Sequence, residues 1–145
     1  MNYKNIIVAV DGSKESEAAL ARAIEVAKHN QAVLNIVNII DTRFFASLEA
    51  HNQETLEKDA HQFATSLLES YDDAATAGIE KIELIIEAGS PRTVITKKIA
   101  PEIGADLIIC GATGVTGTER LLLGSVSENI VRTSPCDTLV VRYSN

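Results

Sequence analysis

The sequence predicts an α/β fold: one doubly wound, five-stranded parallel sheet with helices on both faces. Short apolar runs rich in β-branched residues, such as residues 6–10 and 106–110, are typical of strands buried on both faces. Segments with helical apolar spacing alternate with these runs, which predicts parallel strands joined by right-handed crossovers. We find no linker, internal repeat or low-complexity tract in the sequence, so we expect residues 1–145 to form a single domain.

The first half of the chain predicts two strands and two helices. Residues 6–10 form the first strand, and Asp11-Gly12-Ser13 ends it, with Ser13 as a good N-cap for the first helix. Residues 32–40 form the second strand, although two asparagines interrupt its apolar run. A long amphipathic helix follows, whose apolar positions are Leu56, Ala60, Phe63, Ala64, Leu67, Leu68 and Tyr71.

The second half predicts three strands and two helices. Ser90 and Pro91 start the third helix, and Pro101 kinks or ends it. The last helix covers residues 126–134, because Ser125 and Glu128 have the spacing of a capping box. The three strands are residues 81–88, 106–110 and 138–141.

Composition excludes several classes of function. The 145 residues are 46% hydrophobic and 23% charged, as in a globular domain, and the net charge of −7 argues against nucleic acid and anionic membranes as partners. We expect a cytoplasmic protein, since the sequence has no signal-peptide pattern and no apolar run of membrane-spanning length. Cys110 and Cys136 form no Cys-x-x-Cys unit, so we expect buried structural thiols rather than a zinc or redox site.

The glycine-rich segment 111–125 is the strongest candidate for a binding site. It lies between the fourth strand and the last helix, an arrangement that presents backbone N–H groups to an anion. Gly111 and Gly114 let the backbone approach a ligand closely, and Gly124 and Ser125 place free N–H donors where the helix opens. The spacing matches neither the Rossmann nor the Walker A motif, so a loop whose glycines only form turns is the alternative.

Topology places an acidic residue near this segment. Ligands of doubly wound sheets bind where the strand order reverses, and the order 3-2-1-4-5 sets the first and fourth strands side by side. Asp11 then faces Gly111, where it can accept hydrogen bonds from ribose hydroxyls or help to hold a divalent cation. The alternative is a helix-capping or turn aspartate. The nearest apolar slot for a base is at Ile39 and Ile40.

The glycine spacing resembles that of a known family. Gly111-x-x-Gly114, nine residues and then Gly124-Ser125 match the signature of nucleotide-binding universal stress proteins, and residues 3–13 resemble that family's first strand and turn. The resemblance covers essentially the whole chain. It implies the ATP-binding, UspA-like branch of the family, with the adenine nucleotide alpha hydrolase-like fold.

The resemblance also implies roles for individual residues. Adenine contacts fall on Ala9, Val10 and Ile39, and Asp11 serves the ribose or a Mg²⁺ ion bound with the ATP phosphates. The residues implied near the ribose and in the phosphate cradle are Gly111, Gly114, Gly124, Ser125, Val126 and Ser127. Members of the family are cytoplasmic and commonly form homodimers through the last strand, here from Thr138 to Arg142. An apolar edge strand with unpaired backbone groups favours such pairing.

We expect a dimeric, ATP-binding regulator of the stress response. Where many relatives have a serine–histidine pair, this chain has Ala112-Thr113, so hydrolysis assisted by a loop histidine is not implied. No catalytic constellation stands out in the sequence. The alternatives are a dimeric interaction module that binds no nucleotide and, less favoured, a slow ATPase or phosphoryl-transfer enzyme.

Overall fold

Five parallel strands form the sheet that organises the molecule. The computed structural model describes residues 2–42, 50–69, 76–112 and 123–143. The strand order is β3-β2-β1-β4-β5, which confirms the predicted topology. Each observed strand begins and ends within one residue of its prediction. The strands are β1 (Asn5–Ala9), β2 (Val33–Asp41), β3 (Ile82–Gly89), β4 (Leu107–Gly111) and β5 (Asp137–Val141).

Helical segments connect the strands. They are α1 (Lys14–Asn30), α2 (Ala50–Glu69), a π-helical segment (Val94–Ile99) that runs directly into the short helix α3 (Ala100–Ile103), and α4 (Ser125–Thr133). Helix α1 begins where the sequence predicts, because the Ser13 hydroxyl accepts the N–H of Ser16 at 3.1 Å.

The core has one layer on each face of the sheet. Successive side chains of a strand point to opposite faces, so Ile6 and Val8 pack with α1 while Ile7 packs on the other side. The second layer contains Ile95 from the π-helical segment and Ile130 from α4. Each of these four isoleucines and the valine is fully or almost fully buried, and burial of each contributes about 1.5–3 kcal/mol.

The two asparagines of β2 brace the neighbouring strand. The Asn35 amide donates to Asn5 Oδ1 at 2.7 Å and to the Ile6 carbonyl at 2.9 Å, and the Asn38 amide donates to the Val10 carbonyl at 2.8 Å. Both asparagines are buried, and a buried polar group is tolerated when it is hydrogen-bonded in this way. The interruptions of the apolar run are therefore lateral ties between β2 and β1.

The helix after β3 differs from a regular α-helix. The Ala100 N–H donates to the carbonyl of Ile95, five residues back, which is the π-helical pattern. Pro101 follows at once, and it lacks an N–H and crowds the carbonyl four residues before it. The change of helix type thus lies directly before the proline, where the sequence predicts that the helix kinks or ends.

One apolar position of α2 lies in solvent. Phe63 belongs to the apolar spacing of this helix, yet 63% of it is exposed. Helix α2 packs along β2 and β3, at the edge of the sheet, and this leaves the Phe63 side of the helix uncovered by the described residues. The apolar spacing of the helix therefore does not put Phe63 in the core, and Tyr71 lies outside the described residues.

Candidate functional site

The turn after β1 is held by its own side chains. Asp11 Oδ1 accepts the Ser13 N–H at 2.9 Å, and Gly12 between them has a φ of 86°, which favours glycine. The Ser16 hydroxyl accepts the Asp11 N–H at 3.2 Å and donates to the Ser13 carbonyl at 2.9 Å. Asp11 thus acts as a turn aspartate, the alternative left open by the sequence. Its side chain is nevertheless exposed, and a carboxylate can accept about four hydrogen bonds, so it retains capacity for a ligand.

The tip of β1 lies beside the end of β4. The register pairs Val8 with Ile109 in the parallel sheet, and Asp11 follows the last residue of β1 by two positions. The neighbouring strands that the predicted approach of Asp11 to Gly111 requires are therefore present, and the approach itself stays a prediction.

Gly111 is the point where β4 touches α1. A Cβ at this position would lie 2.8 Å from the Cβ of Glu15 and 2.9 Å from the backbone carbon and oxygen of Glu15. Real Cβ atoms do not approach backbone atoms so closely, so only glycine fits here without a shift of the helix. The packing of α1 against β4 therefore requires a glycine at this position, whether or not a ligand requires it as well.

The two ends of the glycine-rich segment meet at Ala112. Its carbonyl accepts the Gly124 N–H at 2.7 Å and lies 2.7 Å from the Ser127 hydroxyl, while its N–H donates to the Val141 carbonyl at 2.9 Å. The end of β4, the start of α4 and the end of β5 are thus joined through one residue. Gly114 lies outside the described residues.

Helix α4 begins one residue earlier than predicted. Its N-cap is Gly124, whose carbonyl accepts the Glu128 N–H at 2.9 Å, so the capping box built on Ser125 is wrong. The contact of Gly124 with Ala112 fixes where the helix starts, and Ser125 becomes its first residue, with an exposed side chain. The backbone N–H groups of Ser125, Val126 and Ser127 occupy the first turn, where a helix provides no acceptor for them. These amides, with the helix dipole, favour an anion.

Apolar side chains line the same edge of the sheet. Ala9, Ile39 and Val126 are half-buried, and all three pack against the core layer formed by the π-helical segment and α4. Val10 points the other way, into the α1 layer, and its N–H donates to the Val37 carbonyl at 2.9 Å. Three of the predicted contacts therefore share one face, whereas Val10 offers only its carbonyl, which accepts one hydrogen bond from Asn38 and has a second lone pair.

The cysteines provide no reactive thiol at this site. Cys110 is buried on β4, and burial raises the pKa of its thiol to about 11, so it stays protonated at neutral pH. Burial also raises the pKa of the Cys136 thiol. Within the described ranges, no three histidine, cysteine or acidic side chains come together as a metal cluster.

Reasoning from the sequence missed three residues at the site. Ser16 locks the Asp11 turn, Asn38 supports the Val10 carbonyl, and Glu15 contacts Gly111. The spacing Ser13-x-x-Ser16 at a helix start was a usable signal for the first, and an asparagine in an apolar strand for the second. The contact of Glu15 with Gly111 joins residues far apart in the sequence, and no local pattern reveals it.

An exposed carboxylate, half-buried apolar side chains and open helix amides meet where the strand order reverses, as in α/β proteins that bind a small ligand at that point. The chain belongs to the universal stress protein family, whose sequence model matches residues 2–142. Among the described helices, none has the length and apolar character needed to cross a membrane.

Similar proteins support this assignment. A protein of Staphylococcus haemolyticus that carries the universal stress protein name is 50% identical over 143 residues, covering 98% of this chain and 86% of that protein. The structure of the universal stress protein UspA from Lactobacillus plantarum matches with a TM-score of 0.86 at 25% identity, covering 98% of this chain and 99% of that one. A universal stress protein in complex with cAMP matches with a TM-score of 0.73 at 29% identity, covering 99% and 100%.

Proposed function

We propose that this chain binds an adenine nucleotide, ATP with Mg²⁺, at the tips of β1 and β4, and acts as a dimeric regulator of the stress response in the cytoplasm. The observation that carries the proposal is that β1 and β4 end side by side, with Asp11 just after β1 and the start of α4 bonded to Ala112 just after β4. Each part of a nucleotide finds a matching chemical group there.

The phosphates are assigned to the start of α4. The amides of Ser125, Val126 and Ser127 supply hydrogen-bond donors, and the helix dipole adds a partial positive charge. Gly124 presents no side chain at the entrance, and Gly114 is assigned to the same cradle from the spacing of the glycines. Donors of this kind attract a phosphate even in a chain with a net charge of −7, because they act at short range.

The nucleoside is assigned to the tips of β1 and β2. Ala9 and Ile39 offer half-buried apolar surface to an adenine ring, and the Val10 carbonyl, which accepts one bond from Asn38, has a second lone pair for the amino group of the ring. Asp11 is assigned to accept hydrogen bonds from the ribose, with Gly111 at the end of the neighbouring strand β4. The complex of a similar universal stress protein with cAMP supports an adenine nucleotide as the ligand class.

Magnesium fits the same arrangement. Asp11 uses Oδ1 to hold the turn, and its exposed carboxylate can contribute to a cation. Mg²⁺ is usually bound by one or two carboxylates together with substrate phosphates and water, so a dedicated cage of side chains is not required. When bound, the ion would neutralise phosphate charge next to Asp11.

The homodimer is assigned to β5. This strand is at the edge of the sheet, and Thr138, Leu139 and Val140 on it are half-buried. An edge strand presents unpaired backbone groups that a second copy can pair with. Sedimentation velocity should show a dimer at micromolar concentration, and a monomer at every concentration would contradict this part of the proposal.

Calorimetric titration with ATP in the presence of Mg²⁺ tests the site. We expect saturable binding, at least tenfold weaker in Asp11→Ala, because a hydrogen bond to a charged group contributes about 1.5–3 kcal/mol. Asp59→Ala is the matched control, since it removes an exposed carboxylate on α2 and should leave binding unchanged. No binding heat and no thermal shift with the unmodified protein would refute the nucleotide site.

A further inference from the structure

We call the junction of Ala112 with Gly124 the root of the glycine-rich segment. The Ser127 hydroxyl is buried at this root. Only 4% of Ser127 is exposed, and its Oγ lies 2.7 Å from the Ala112 carbonyl and 3.1 Å from the Gly124 carbonyl. Ala112 and Leu123 are separated by ten residues, and this hydroxyl joins the two ends. The Gly124 N–H, which reaches the same Ala112 carbonyl at 2.7 Å, completes the junction.

The hydroxyl proton is committed to this junction. A serine hydroxyl has one proton to donate, and phosphate oxygens are acceptors, so a hydroxyl that binds phosphate must donate that proton to it. At Ser127 both neighbouring groups are carbonyl oxygens, which also require the proton. The side chain is therefore engaged within the protein, while its backbone N–H remains in the first turn of α4.

We propose that Ser127 is a positioning residue: its hydroxyl closes the root of the glycine-rich segment before a ligand binds, and so holds the first-turn amides of α4 in place for phosphate. The positioning role rests on the proposed nucleotide site. The closure itself is a property of the ligand-free chain.

Hydrogen exchange of the ligand-free protein tests the closure. In Ser127→Ala, the Gly124 amide should exchange about fivefold faster, because one of the two bonds to the Ala112 carbonyl is lost. Ser127→Thr keeps the hydroxyl and should restore slow exchange. Ser66→Ala, which removes an exposed hydroxyl on α2, should leave the Gly124 amide unchanged.

Binding measurements on the same variants test the positioning. We expect Ser127→Ala to weaken ATP about fivefold and to leave adenosine binding unchanged, because the nucleoside contacts are on β1 and β2. Ser127→Thr should restore ATP affinity. A loss of ATP affinity with unchanged exchange at Gly124 would make the hydroxyl a direct phosphate ligand and would overturn the inference.

The remaining outcomes also decide the question. Faster exchange with equal losses for ATP and adenosine would show a general structural role and would overturn the positioning role. If the unmodified protein binds no nucleotide, the proposed function fails and the positioning role with it. The exchange data would then still establish whether Ser127 closes the root.

Discussion

Replacing Gly111 with alanine would place a methyl group against the first turn of α1. The added Cβ would lie 2.8 Å from the Cβ of Glu15 and 2.9 Å from its backbone carbon and oxygen. Gly111 has no left-handed φ, so alanine meets no backbone strain at this position, and the whole effect is steric.

The neighbour cannot yield by rotating a side chain. The atoms in conflict are Cβ and the backbone of Glu15, and this turn is fixed by two bonds from the cap, Ser16 N–H to Ser13 Oγ at 3.1 Å and Glu17 N–H to the Ser13 carbonyl at 3.0 Å. Extra methyl groups in packed cores typically cost about 1–3 kcal/mol. For a chain of this size, that loss corresponds to a fall in Tm of roughly 3 to 10 °C.

Urea unfolding followed by circular dichroism measures this loss without any ligand. Glu15→Ala should not relieve the clash in the double variant, because it keeps the Cβ and backbone atoms that alanine at 111 would meet. An unfolding midpoint of Gly111→Ala equal to that of the unmodified protein would refute the packing role. If ATP affinity alone then fell, the glycine would serve only ligand approach.

Two further predictions concern the core. Asn35→Ala should lower the free energy of unfolding by about 1–3 kcal/mol, since two hydrogen bonds from this buried side chain to β1 are lost. A urea midpoint unchanged from the parent would contradict the lateral tie. The pKa of Cys110 is raised by burial from 9.0 in the unfolded chain to about 11 in the folded protein, so its stabilising effect is complete below pH 9 and is lost as pH rises toward 11. This loss amounts to roughly 2 to 3 kcal/mol. The urea midpoint should therefore fall less between pH 8 and pH 10.5 in Cys110→Ala than in the parent. An equal fall in both proteins would exclude Cys110 as the cause.

The sheet could be predicted from the sequence because each strand carries its own signal. A strand covered on both faces must be apolar at consecutive positions, as in residues 6–8 and 107–110, and this local requirement needs no knowledge of the partner strands. The N-cap at Ser13 is equally local, since the hydroxyl and the amide that it binds are three residues apart. Strand order followed from the crossover rule and the position of the glycine-rich segment.

Features that depend on distant contacts could not be predicted in this way. The π-helical segment buries Ile95 and Ile99 in the core layer on β1 and β4, which the local spacing alone does not reveal. The exposure of Phe63 depends on which strand pair α2 covers. In both cases the local spacing was correct for a helix, and the packing partner decided the outcome.

The start of α4 shows how a distant contact changes the chemistry of a predicted site. From the sequence alone, Ser125 was expected to cap the helix with its hydroxyl. The bond between Gly124 and Ala112 moves the helix start back by one residue, so the Ser125 amide enters the first turn. The same shift places Ser127 where its hydroxyl reaches Ala112, at 2.7 Å. Backbone donors and side-chain donors are thereby separated: the hydroxyl of Ser127 bonds within the protein, and three consecutive amides are left for an anion. A serine at 127 is thus consistent with a phosphate site through its backbone, although its side chain is engaged elsewhere.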